Sequence, residues 1–119
     1  SFLITHINLM LNKLINLFIG NISNCIVHRI LEKATDDENI SNKYDKESIN
    51  SFNIAKKYRE KINPINSPLS DKDIEHIKSK IMNKVKSELL LRINKGYKDI
   101  DLNLVDIIIE RILKKSKVI

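Results

Sequence analysis

The chain has 119 residues, 21 Lys and Arg against 15 Asp and Glu (net charge +6), 42% hydrophobic residues, two Gly, two Pro, one Cys and no Trp. This length supports one hydrophobic core, so residues 1–119 read as a single domain, and the composition sits well away from that of disordered chains. Two glycines exclude the Gly-rich loops that cradle phosphates, and a lone Cys25 excludes an internal disulfide, which suits an intracellular, reducing compartment.

Four stretches carry helical periodicity and none shows the alternation of a half-buried strand, so an all-α bundle of four amphipathic helices is expected, at about 2–33, 45–62, 71–95 and 101–116. In the first, Leu3, Ile7, Met10, Leu14, Leu17 and Phe18 form a broad apolar stripe opposite Thr5, Asn8, Asn12 and Asn16. His6, Lys13 and the asparagines suit a bundle helix with a wet side better than a membrane span, and Gly20 predicts a bend or local break. Residues 35–42 (TDDENISN) read as a polar, acidic connector.

The second helix is expected to bury Ile49, Phe52, Ala55 and Ile62, with cations crowding its last turns, where the helix dipole favours them. Residues 63–69 hold both prolines and cannot continue a helix. Ser70 followed by Asp73 predicts a capping box. The third helix then places Ile74, Ile77, Ile81 and Val85 on one face until Gly96 stops it as a C′ residue. Asp101 reads as the N-cap of a fourth helix burying Leu104, Val105, Ile108, Ile109 and Ile112.

No constellation carries recognisable chemistry. Cys25 and His28 lie one turn apart, but a zinc site needs four ligands and no second Cys/His pair exists. The run Asp99-Ile100-Asp101-Leu102-Asn103 with Glu110 imitates a calcium loop, yet Leu104 stands where a turning glycine is required. No enzyme activity, cofactor, metal or small-molecule substrate is therefore expected.

Two partner classes remain. The first helix offers more apolar surface than three shorter helices need, with Leu9, Ile19, Val27 and Ile30 outside the main stripe. Those four residues are the expected protein interface of a non-catalytic assembly subunit, for a homo-oligomer or another protein. A membrane surface is less favoured, because the polar flank is Asn-rich rather than Lys-rich. The alternative is association with nucleic acid through phosphate contacts from the lysine-rich part after Ser48: Lys56, Lys57, Arg59, Lys61, Lys80, Lys84 and Lys95. The order of helix, proline loop, long helix, short turn with Ile100-Asp101, and helix from Asp45 to Ser116 is similar to that of histone-like folds, a resemblance that implies the same nucleic-acid association.

Overall fold

The computed structural model describes residues 2–62 and 68–119. Its elements are α1 (Phe2–Lys33), α2 (Glu38–Ile62), α3 (Asp71–Asn94) and α4 (Leu104–Lys115), with no strand among the described residues, so the fold is the all-α four-helix bundle that the periodicity predicts. One contiguous core is built around the C-terminal two-thirds of α1, whose Phe18, Ile22, Ile26 and Ile30 meet Ile77, Ile81, Val85 and Leu89 of α3 and Val105, Ile109 and Leu113 of α4. α1 packs on each of the other three helices and α3 on α4, whereas among the described helices α2 packs on α1 alone.

Local signals set most of the boundaries. Ser70 caps α3, its Oγ accepting from the Asp73 amide at 3.2 Å. Gly96, at φ 98°, ends it. The Gly96 amide donates to Ile93 O and the Tyr97 amide to Arg92 O, the paired bonds of a Schellman closure that a left-handed C′ residue permits. α4 closes in the same way with a Lys in the glycine's place. Lys117 sits at φ 61°, Val118 donates back to Leu113 O at 2.9 Å, and the Val118 side chain is buried under the closure.

Several expected boundaries move. α2 begins at Glu38 rather than near residue 45, which leaves only 34–37 as connector. Asp37 acts as a cap, with Oδ1 accepting from the Ile40 amide and its carbonyl from that of Ser41, and Glu38 follows in the first turn, where the dipole favours a carboxylate. α4 starts at Leu104 rather than 101, because the Asp101 carboxylate accepts from the Asn103 amide and stabilises a turn just ahead of the helix. The expected loop at 63–69 lies, through residue 67, outside the described residues.

α1 runs unbroken through Gly20, contrary to the expected break. A methyl group built on Gly20 would meet nothing within 4 Å. Ala costs less backbone entropy in a helix, so Gly20→Ala is expected to stabilise the fold by about 0.5–1 kcal/mol, read as a small rise in thermal midpoint with unchanged helix content.

The face that α2 buries matches the expected one at Ala55, Phe52 and Ile62 but not at Ile49. Ser48, Ser51, Ala55 and Arg59 turn inward, Phe52 is half-buried, and Ile49 is 48% exposed. Small residues at three- and four-residue steps let α2 lie close against the large side chains of α1, and their hydroxyls find partners at that distance. Asn24 Nδ2 donates to Ser51 Oγ at 2.9 Å, and Ser48 Oγ donates to the Cys25 carbonyl at 2.9 Å. Polar pairs flank this seam: Arg29 with Asp45 and Glu32, and His28 Nε2 within 2.8 Å of Glu47.

Candidate functional site

In the α1/α2 hairpin, Arg29 meets Asp45, Cys25 meets Ser48, and Asn24 meets Ser51. Residue numbers rise on one helix as they fall on the other, so the pair is antiparallel. Carried along at equal rise, this register brings the end of α2 at Ile62 level with about Asn12 or Lys13 of α1. Among the described residues, the turns of α1 before that point have no neighbouring helix alongside them.

The exposures follow this geometry. Leu11 is half-buried against the core, whereas Phe2 (87%), Leu3 (66%), Ile4 (61%), Ile7 (54%), Leu9 (63%) and Met10 (55%) stand in solvent. The result is an arm. It draws the molecule out to 53 × 23 × 21 Å, and its radius of gyration of 15.5 Å exceeds the roughly 13–14 Å of a compact chain of this length.

Three of the four expected interface residues are elsewhere. Ile19, Val27 and Ile30 are 2%, 3% and 1% exposed and belong to the intramolecular core, because helices cover α1 on several sides along this stretch. Leu9 alone lies on open surface. The apolar surplus is instead made by residues that the periodicity assigns to the core stripe, Leu3, Ile7 and Met10, for which the bundle has no covering helix.

Within the arm the stripe has a defined spacing. Leu3, Ile7, Met10, Leu14 and Leu17 follow one another at alternating four- and three-residue steps, the seam by which two helices pack side by side. The seam then runs into Asn21 and Asn24, polar residues committed within the chain: Asn21 to the Leu17 carbonyl and Asn24 to Ser51. No Asp or Glu occurs before Glu32.

α1 is long and apolar enough to pass as a membrane span by length and composition, and only 17% of its most apolar 18-residue window is buried. The projecting part, residues 2–12, measures about 17 Å at 1.5 Å per residue, against a hydrocarbon core of about 30 Å. To cross, the helix would have to withdraw Ile15, Phe18 and Ile19 from the core.

The cations expected on one face are dispersed. Lys56, Lys57 and Lys61 are exposed on α2, and Lys61 Nζ lies 5.9 Å from the centre of the Tyr58 ring. Arg59 is 4% exposed, its guanidinium donating to the Lys117 carbonyl, and is not available to a phosphate. Lys80 and Lys84 line a groove between α1 and α3, and Lys95 is exposed at the α3 C-cap. α2 and α3 do not pack on each other, so the two groups belong to separate elements.

Cys25 is held as a thiol. Burial pushes its pKa up, outweighing the hydrogen bond to Ser48 and the nearby charges of Arg29 and Lys115. The Ser48 proton is directed at the Cys25 carbonyl, so the 3.3 Å contact between the Cys25 Sγ and Ser48 Oγ is satisfied by the S–H donating. No three His, Cys, Asp or Glu side chains converge among the described residues.

Set beside known proteins, the chain finds no significant match to a family model, a curated protein or a solved structure.

Proposed function

We propose that the chain is a non-catalytic assembly subunit that pairs with a second copy of itself through the arm of α1, laying Leu3, Ile7, Met10 and Leu14 of one copy against the same residues of the other. What supports this reading is the exposure of six large apolar side chains between Phe2 and Met10 on a helix already anchored in the core. An isolated helix of two heptads is marginal in water, because its nucleus must be ordered first. Here the order is supplied by the bundle, so the apolar area buried by pairing goes largely into association.

The arm carries no acidic residue and its polar flank is mostly uncharged, so neither an ion-pair code nor attraction to anionic lipid is written into it. An apolar seam closing on its own copy fits that composition.

The test is the mass of the protein in solution across a concentration series, at low and high salt. The expected result is a dimer or small oligomer insensitive to salt, and a monomer with unchanged helix content for the double variant Ile7→Glu/Met10→Glu. A wild-type monomer at high micromolar concentration overturns the reading. Loss of the free chain into neutral vesicles would place the arm in lipid instead. Salt-sensitive retention on DNA or RNA, abolished by Lys56→Glu/Lys57→Glu/Lys61→Glu, would favour the nucleic-acid alternative.

A further inference from the structure

A cleft opens where α2 and α4 fail to meet. Both helices pack on α1 and neither on the other, and the space between them is a cavity of about 270 Å³. Four of its lining residues are apolar, Phe52 and Ile49 from α2 and Ile108 and Ile112 from α4, the last two only 3% and 7% exposed. The exposure of Ile49, which the sequence assigns to the core, arises at this cleft. Ser48 and Cys25 lie among its lining residues, and their hydroxyl and thiol are already engaged with each other.

The remaining lining is charged, and unevenly so. Arg29, Lys33, Arg111 and Lys115 face the single carboxylate of Glu32. Glu32 is occupied by Arg29, which also takes Asp45; burial pulls the guanidinium's pKa down, but the hydrogen bonds and negative charges of Asp45 and Glu32 together raise it. Lys33, Arg111 and Lys115 form no ion pair with any described residue. Arg111 and Lys115 are one turn apart on α4, a like-charged pair that an isolated helix disfavours. The nearest acid on that helix, Glu110, is drawn to Lys78 of α3 at 2.7 Å.

Apolar walls with a few convergent groups of one sign are the usual make-up of a small-ligand site between helices. We propose that this cleft binds a small amphipathic anion, its apolar body between Phe52, Ile108 and Ile112 and its carboxylate or phosphate head held by Arg111 and Lys115 with Lys33. The site is independent of the arm, and the ligand need not take part in assembly.

Decanoate is a suitable probe, titrated into the Ile7→Glu/Met10→Glu protein so that the arm adds no binding of its own, with amide and methyl chemical shifts as the readout. Shifts are expected at Phe52, Ile108 and Ile112. Decyltrimethylammonium, with the same chain and opposite head, is expected to bind at least tenfold more weakly, and Arg111→Glu/Lys115→Glu to weaken decanoate at least tenfold. Arg111→Gln/Lys115→Gln, which removes the charges without reversing them, serves if the acidic pair disturbs α4. Equal binding of the two head groups, unchanged binding to both charge variants, or shifts confined to other surfaces would overturn the proposal. Binding of phosphatidate vesicles without binding of free decanoate would overturn it too, since the cleft would then read a surface and not a molecule.

Discussion

Ile19→Asp is expected to leave the chain unfolded, while Leu9→Asp, ten residues earlier on the same helix, is expected to leave fold and thermal midpoint unchanged. Ile19 is 2% exposed, among the side chains of a core that α1 shares with three helices. Its replacement forfeits about 1.5–3 kcal/mol of apolar transfer and places an unpaired carboxylate where each buried charge costs several kcal/mol more. A domain of this size has about 5–15 kcal/mol of stability in total, so the sum removes most or all of it. Leu9 is 63% exposed, and a surface change of this kind stays within about 0.5 kcal/mol. Circular dichroism and thermal melts of the two variants separate them. A folded Ile19→Asp protein with a wild-type midpoint would refute the placement of α1 in the core.

That contrast also marks how much could be read from residue order. Ser70 with Asp73 and Gly96 are local signals whose physics closes within one turn, and both ends of α3 follow from them. The stripe Ile77, Ile81 and Val85 is equally legible, since α3 has one apolar face and one core to meet. α1 is different: it is apolar on several sides over 32 residues, and periodicity cannot say which portion a neighbour will cover. The answer depends on where α2 ends, a tertiary fact, so Ile19, Val27 and Ile30 exchange roles with Leu3, Ile7 and Met10.

Part of the packed face of α2 was hidden for the opposite reason: Ser48 and Ser51 read as surface by hydropathy, although with Ala55 they place small residues at three- and four-residue steps, which is also a signal for close helix approach. The cap at Asp37 is obscured by the Asn- and Ser-rich stretch after it, which reads as a connector. The cleft between α2 and α4 has no sequence signature. Lys33, Arg111 and Lys115 come from two helices far apart in the chain, and only the packing of α4 on α1 brings them together.

Arg59→Ala is expected to cost about 2–3 kcal/mol, the second large effect, at a residue whose charge suggests surface. The guanidinium is buried near the end of α2, and its Nε and one terminal nitrogen donate to the Lys117 carbonyl at 3.1 and 2.9 Å. Burial lowers its pKa, but an arginine remains charged throughout the accessible pH range, so the site must keep a cation satisfied. A hydrogen bond to a charged group contributes about 1.5–3 kcal/mol, and its loss also strips the Lys117 carbonyl of this donor. That carbonyl belongs to the left-handed residue that closes α4 and seats Val118, so this contact ties α2 to the tail. The thermal midpoint should fall by roughly 8–15 °C. Exchange of the Val118 amide, which donates to Leu113 O, should accelerate more than that of core amides in α3. Arg59→Lys should recover only part of the loss, because an ammonium cannot present two donors in a fixed fork to one carbonyl. Full recovery by Lys, or an Ala variant as stable as wild type, would show that charge or packing alone accounts for Arg59 and that the tail closes without it.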